Sequence, residues 1–231
     1  MKYKYLLWDI DGTVMNFQAA ERAAIRALFA KYGFGPCTDD MLEAYSRINI
    51  RYWQALERNE MTKPEILVAR FRDFFTACGL PADRAEAFNE DYQPALGDTV
   101  VFNDNAPALL MALHERGYIL CAVTNGTQVA QHKKLAVSGL DRIFNYIFIS
   151  EEIGTEKPNI AFFDSVLDTV GDPDRSRYLI IGDSLTSDIL GGNNAGIDTC
   201  WYAPADAVPD RDVRIVYRIH DLKEIMKVLG A

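Results

Sequence analysis

Tyr3-Lys4-Tyr5-Leu6-Leu7-Trp8-Asp9-Ile10-Asp11-Gly12-Thr13 is the stretch on which the fold turns. The nearly continuous apolar run Tyr5–Trp8, as in a strand covered on both faces, predicts an inner strand of a parallel sheet over Tyr3–Asp9. The run stops on two acids, Asp9 and Asp11, followed by a glycine that lets the chain turn sharply. A strand ending in paired carboxylates places them where open α/β sheets bind ligands, beyond the C-terminal strand ends.

Outward from that strand, the next eighty residues predict helices only. Phe17, Ala20, Ala24, Ile25, Leu28, Phe29 and Tyr32 keep helical spacing, and Gly33 ends the run. A second helix is expected from Asp39 or Asp40 toward Leu56. A third opens with the capping-box sequence Thr62-Lys63-Pro64-Glu65 and stops at Gly79, and a fourth covers Ala82 to Tyr92. After Gly97 the texture alternates. Helices at 106–116, 127–138, 159–170, 187–195 and 222–229 are interleaved with strands at 118–124, 146–149, 177–181, 199–202 and 213–216. Such alternation implies an α/β fold, a Rossmann-like parallel-sheet core, with the four-helix stretch inserted after the first strand. The expected division is a core of residues 1–15 and 95–231 and a cap of residues 16–94.

Composition narrows the function classes. With 49% hydrophobic and 25% charged residues, the 231-residue chain is neither fibrous nor disordered and can bury a core without cross-links. No apolar run reaches the length of a membrane span, and the one after Met1-Lys2-Tyr3-Lys4 stops at Asp9, too short for a signal peptide, so a cytoplasmic protein without a membrane partner is expected. The net charge of −9 and the absence of a basic run argue against a nucleic-acid polymer as partner. An anion site in so acidic a chain must be locally positive, through a metal, a lysine or helix N-termini. Cys37, Cys78, Cys121 and Cys200 form no CxxC pair and are expected to be reduced thiols.

Chemistry concentrates at four strand ends. Asp9 and Asp11 close the first. Thr124-Asn125-Gly126 closes the strand after the insertion, Glu156-Lys157-Pro158 follows the next, and Gly182-Asp183-Ser184 ends the one after, with Asp188 just beyond. Asp9, Asp11 and Asp183 converging on one crevice form a cluster that cannot ionise together without a cation. Carboxylate oxygens with water and a substrate phosphate are the ligand set of Mg²⁺. The Thr124 hydroxyl and the N–H groups of Asn125 and Gly126 suit an anion at a helix N-terminus, and Lys157 supplies positive charge. Asp188 is placed to orient a ligand or a metal-bound water.

In that order, Asp-x-Asp-Gly-Thr, Thr-Asn-Gly, Lys-Pro and Gly-Asp-x-x-x-x-Asp resemble the four motifs of the haloacid dehalogenase (HAD) superfamily, and the helical insertion resembles its C1 cap. Ser150-Glu151-Glu152-Ile153-Gly154 and the stretch Gly182–Gly192 with Asn194-Ala195-Gly196 are similar to the pyrimidine-type 5′-nucleotidases of that superfamily. The resemblance implies Mg²⁺-dependent hydrolysis of nucleoside monophosphates. It implies Asp9 as nucleophile and Asp11 as general acid and then base. Mg²⁺ would lie on the Asp9 side chain, the Asp11 backbone carbonyl and Asp183, with Asp188 behind them. Thr124, Asn125, Gly126 and Lys157 would hold the phosphate. An aspartate at position 11 favours a phosphatase or phosphomutase over the dehalogenase and P-type ATPase branches.

Leaving-group specificity is expected from the cap. Asn16 and Phe17 lie close to the first motif, and Asn16 stands where many relatives carry an acid. Arg47, Asn49, Arg51, Tyr52 and Trp53 mix cations, an amide and aromatics able to stack on a base, although the same stretch also fits an amphipathic helix with Ile48, Tyr52 and Leu56 inward and its arginines solvated. The partner is expected to be a small phosphorylated metabolite. A nucleoside monophosphate leads, a small sugar phosphate or phosphoglycolate is the alternative, and a non-catalytic phosphate-binding module is a distant third. Oligomeric state is not legible.

Overall fold

The computed structural model describes residues 2–230, so the outermost residues of the expected core, Met1 and Ala231, lie outside the described residues. Six parallel strands form one sheet, β1 (Tyr5–Trp8), β2 (Ile119–Thr124), β3 (Tyr146–Ile149), β4 (Tyr178–Gly182), β5 (Asp198–Tyr202) and β6 (Tyr217–Ile219), in the order β3-β2-β1-β4-β5-β6. The order reverses between β1 and β4, so a crevice opens beyond their C-terminal ends.

Strand alternation explains why β1 is apolar throughout. Leu6 and Trp8 join Leu120, Ala122, Leu179 and Ile181 in one hydrophobic cluster. Tyr5 and Leu7 join Cys121, Val123, Tyr178 and Ile180 in another on the opposite face. The first face is covered by α5 (Ala106–Glu115) and α6 (Gln128–Ser138), through Ala106, Leu110, Leu113 and Leu135. The second is covered by α8 (Ile160–Val170), through Phe162, Phe163 and Val166, and by Ala195 of α9 (Leu190–Ala195). The short α7 (Ser150–Ile153) follows β3, and α10 (Ile225–Val228) closes the chain.

The stretch between β1 and α5 is helical, as its periodicity predicts: α1 (Phe17–Tyr32), α2 (Asp39–Glu57), α3 (Lys63–Ala77) and α4 (Ala85–Leu96). These helices have a core of their own, built from Ile25, Phe29, Tyr45, Phe71, Phe74, Phe88 and Tyr92 with Ala130 of α6 at its margin. The insertion leaves and returns along paired backbone: Asn16 N–H donates to the Val101 carbonyl at 2.8 Å and Asn103 N–H to the Val14 carbonyl at 3.1 Å.

Several boundaries differ from the sequence expectation; besides shifts of one or two residues, the last expected helix, Leu222–Leu229, is a 3₁₀ turn at Leu222–Glu224 followed by α10. The strand expected at Val213–Val216 lies at Tyr217–Ile219, because residues 213–216 are held by side chains: Asn193 Nδ2 and Thr199 Oγ1 both donate to the Arg214 carbonyl, at 2.9 Å each. The fourth helix begins with a 3₁₀ turn at Ala82–Arg84 and runs through Pro94 to Leu96 instead of ending at Tyr92. The helix expected from Ser187 opens earlier with a π-helical turn, Leu185–Ile189, in which the N–H groups of Asp188 and Ile189 both donate to the Ser184 carbonyl at 3.1 Å.

Candidate active site

Asp9 directly follows β1 and continues its pairing, its N–H donating to the Ile181 carbonyl at 3.0 Å. Two residues on, Gly12 has φ +102°, and a Cβ there would lie 2.5 Å from Asp183 Oδ2, so the turn requires glycine both for its conformation and for the approach of the β4 carboxylate. Thr13 ties the two strand ends: its hydroxyl donates to Asp183 Oδ1 at 3.1 Å and accepts from the Asp183 N–H at 3.0 Å.

Lys157 is the hub. Its ammonium, 1% exposed, donates to Asp9 Oδ1 at 2.9 Å, Asp188 Oδ1 at 2.7 Å and the Val123 carbonyl at 2.8 Å. The π turn aims Asp188 back at it, and Asp188 Oδ2 accepts from the Ser184 N–H at 3.1 Å. Asn125 fixes the lysine backbone reciprocally, its Nδ2 donating to the Lys157 carbonyl at 2.8 Å and its Oδ1 accepting from the Lys157 N–H at 2.9 Å. Thr124 Oγ1 accepts from the Gly126 N–H at 3.0 Å, which commits that donor within the loop.

Asp9, Asp183 and Asp188 each offer a carboxylate oxygen within 4.8 Å of the others. One lysine leaves this cluster with excess negative charge. Burial raises the Asp9 carboxyl well above the usual range; Lys157 opposes this, and Asp188 and Asp183 reinforce it. Asp183 is exposed to the cavity; desolvation by the surrounding side chains together with Asp188 pushes its carboxyl up to about 7 against the Thr13 hydrogen bond. Burial works against the charge on Lys157, but Asp188 and Asp9 outweigh it and keep the ammonium protonated well above its ordinary range. Asp9 Oδ2 is buried with no hydrogen-bond partner. The all-oxygen, net-negative donor set of Asp9, Asp183 and Asp188, with one lysine to balance it, fits a hard divalent cation.

These residues floor a cavity of about 340 Å³ roofed by the helical layer. Of the residues expected to touch a leaving group, Phe17, Asn49 and Trp53 line it. Asn49, Trp53 and Glu57 recur at i, i+4 and i+8, one face of α2. Asn16 is corrected to a helix cap: it is exposed, and its Oδ1 accepts from the Ala19 N–H at 3.0 Å. Arg47 and Arg51 are exposed outside the cavity, and the Tyr52 hydroxyl donates to Asp73 at 2.9 Å, so the amphipathic-helix alternative describes these three.

Several residues at the site carried no motif. Asp11 is gripped from α6, by Gln131 Nε2 at 2.6 Å and Lys134 Nζ at 2.5 Å, both donors 1% exposed. The signal was available: Gln131 and Lys134 are polar residues at i and i+3 on the face that also buries Ala130 and Leu135. Glu57 closes the far wall beside Thr186, and burial, reinforced by Asp188, pushes its carboxyl up to about 7. Arg70 and Gln93 also reach the cavity from inward positions of α3 and α4.

A parallel sheet with a carboxylate pair and a buried lysine at its switch point, roofed by an inserted helical layer, defines a class of α/β hydrolases. The chain belongs to the haloacid dehalogenase-like hydrolases, whose family model matches residues 6–202. It is 38% identical over 230 residues to the HAD-hydrolase YfnB of Bacillus subtilis, covering 99% of this chain and 96% of YfnB. It is 35% identical to the pyrimidine 5′-nucleotidase PynA of Streptococcus pneumoniae, covering 99% of this chain and 96% of that one. The pyrimidine 5′-nucleotidase YjjG of Escherichia coli is 29% identical, with 99% of each chain covered. The crystal structure of YfnB from Bacillus subtilis bound to magnesium matches with a TM-score of 0.90 at 36% identity over the whole of both chains.

Proposed function

We propose that the chain is a Mg²⁺-dependent phosphomonoesterase that works through an aspartyl phosphate on Asp9, with pyrimidine nucleoside monophosphates as substrates. The observation that carries the chemistry is the division of labour on Asp9: Lys157 occupies Oδ1, and Oδ2 is buried without a partner in a site facing the cavity. A carboxylate so held is oriented and still has an oxygen to attack phosphorus. The two full-length relatives named as pyrimidine 5′-nucleotidases support the substrate class.

In this reading Asp9 displaces the nucleoside alkoxide from phosphorus. Asp11, whose two oxygens accept from Gln131 and Lys134, gives up one of these hydrogen bonds to protonate the leaving oxygen and afterwards takes the proton of the water that releases phosphate. The Thr124 hydroxyl and the Asn125 N–H hold the transferring group, and Lys157, its three N–H donors spent on Asp9, Asp188 and the Val123 carbonyl, supplies positive charge beside it; Gly126, whose own N–H is committed, provides room. The Asp9 and Asp183 carboxylates and the Asp11 carbonyl are the residues that would hold Mg²⁺, which supplies charge neutralisation between nucleophile and phosphate. Both Asp188 oxygens are already engaged, so Asp188 acts by orienting Lys157. Residues 16–94 act as a cap that meets the leaving group through Phe17, Asn49 and Trp53.

Phosphate release from nucleoside monophosphates and sugar phosphates tests this, run with Mg²⁺, with EDTA and with Asp9→Asn. Pyrimidine monophosphates lead the panel and both controls abolish release if the reading holds. A sugar phosphate at the head of the panel overturns the substrate class, and release that survives Asp9→Asn overturns the mechanism.

A further inference from the structure

The segment Ser150-Glu151-Glu152-Ile153-Gly154 takes no part in the chemistry above, yet its polar side chains are all engaged. Glu151 Oε2 accepts from the Gln128 N–H at 2.7 Å, where α6 leaves the phosphate-binding loop, and Glu152 meets the His132 ring at 2.6 Å. Ser150 is fully buried, and its Oγ accepts from Lys63 Nζ at 2.6 Å. The same ammonium lies 3.2 Å from Oε1 of Glu156, the residue before Lys157. Lys63 thus joins the helical layer to the segment that leads into Lys157.

A lysine is costly at this position. Lys63 is the first residue of α3, where the unpaired N–H groups of the helix already gather positive charge. Its side chain is 5% exposed, and burial pushes the ammonium below its ordinary range, with Glu156 and Glu151 opposing. Its two polar partners among the described residues both stand on the core, so the helical layer by itself does not compensate the charge. The rest of the seam divides in two. Where α4 meets α6 the layers are packed: Ala130 joins the helical core, Gln93 Oε1 accepts from the Thr127 hydroxyl at 2.8 Å, and Lys133 Nζ donates to the Pro94 carbonyl at 3.0 Å. Beneath the turn between α2 and α3 the seam instead holds a second cavity of about 150 Å³, with Leu56, Glu57 and Asn59 on one side and Glu156, Lys157 and Pro158 on the other. Such a gap forfeits the dispersion contacts that hold packed layers together, so this edge rests on polar contacts that water can replace.

We propose that Lys63 is a positioning residue, the clasp that holds the α2–α3 edge of the helical layer down on Ser150 and Glu156 and so keeps the cavity over Asp9 closed. When the edge lifts, water solvates Lys63 together with Glu156, whose side chain is already 29% exposed, so the clasp releases without leaving a buried charge unpaired. The proposal rests on the hydrolase reading above in one respect, that the closed cavity is the working state. A substrate bound between layer and core then draws the edge down itself, so loss of the clasp is felt as weaker binding and little as slower chemistry.

Hydrogen exchange and steady-state kinetics on the full chain test this with Lys63→Met, which keeps an unbranched side chain and removes the charge. Exchange should quicken by on the order of tenfold in both 57–63 and 150–158, while β1 and β4 keep wild-type protection. With Mg²⁺ and the phosphomonoester that the wild-type enzyme hydrolyses best, KM should rise by about three- to tenfold and kcat stay within about twofold. Glu156→Gln removes the partner's charge while keeping Lys63 in place, and should move KM in the same direction. Combined with Lys63→Met it should add nothing, because the two residues act through one contact. If Lys63→Met lacks a cooperative melt, Glu156→Gln by itself must quicken exchange in both segments. Quickened exchange confined to α3, an unchanged KM in a variant that folds, or effects of the two substitutions that multiply would each overturn the clasp and leave the hydrolase reading standing. A wild type that hydrolyses no phosphomonoester overturns that reading, and the exchange experiment then decides the clasp on its own.

Discussion

Replacing Lys157 by methionine should cost both stability and activity, and Mg²⁺ should restore only the first. Among the described residues Lys157 is the one cation hydrogen-bonded to Asp9 and Asp188, and Asp183 stands within the same cluster. Methionine preserves much of the volume but leaves three adjacent carboxylates with no counter-charge. Breaking a buried pair by removing one partner costs about 3–5 kcal/mol. For a chain of this length that is a melting-temperature fall of roughly 6–20 °C. A ligand at about 100 times its Kd adds about 2.7 kcal/mol. Saturating Mg²⁺ should therefore recover much of the lost stability, and should raise the melting temperature more in the variant than in wild type. On the proposed mechanism turnover should stay depressed by on the order of 10²–10³, because Asp9 loses the ammonium that orients it. Thermal melts in EDTA and in Mg²⁺, paired with phosphate release, measure all three quantities. A variant melting within about 2 °C of wild type in EDTA would refute the view that Lys157 holds the acidic cluster together.

Further expectations follow from the same geometry. Desolvation, aided by Asp188, holds Asp183 at about 7, and burial raises Asp9, whereas unfolded aspartates titrate near 3.9. The metal-free folded protein thus binds more protons than the unfolded chain between about pH 4 and 7, and its stability falls as pH rises through that window. Melts in EDTA should move upward from pH 7.5 to pH 5.5, and a flat or opposite trend contradicts these shifts. Gly12→Ala, with its Cβ 2.5 Å from Asp183 Oδ2 and its backbone at φ +102°, should destabilise by about 1–3 kcal/mol by denaturant titration and reduce turnover; wild-type behaviour would contradict the close approach. Arg47→Ala and Arg51→Ala, exposed and outside the cavity, should leave kcat/KM within about twofold, while Trp53→Ala should raise KM for nucleotides by roughly tenfold.

Much of the fold was legible because its decisive signals are local. Tyr5–Trp8 is apolar on both faces since β1 lies between β2 and β4 with helices on either side, and the acids, hydroxyl and lysine of the motif loops sit beside the strands that deliver them. What was missed is tertiary. Nothing in Val213–Val216 announces that Asn193 and Thr199 will hold it out of the ladder. Asn16, expected at the leaving group from its place after the first motif, is instead a helix cap, which the Ala19 hydrogen bond shows. In α2 periodicity could separate Ile48 from the arginines, but not which polar face would meet the cavity. Gln131, Lys134, Arg70 and Gln93 stand at inward helical positions where an apolar residue is the default; each is a break in an otherwise regular pattern, interpretable only once the neighbouring element is known.

On the proposed mechanism Asp9 carries the phosphoryl group between substrate and water. Rapid acid quenching of the Mg²⁺-loaded enzyme with a pyrimidine nucleoside monophosphate labelled in its phosphate, followed by peptide mapping, tests it most directly. A hydroxylamine-labile label is expected on the peptide containing Asp9, absent when Asp9→Asn is treated in the same way. A label on Asp183 or Asp188, or turnover persisting in Asp9→Asn, would contradict it.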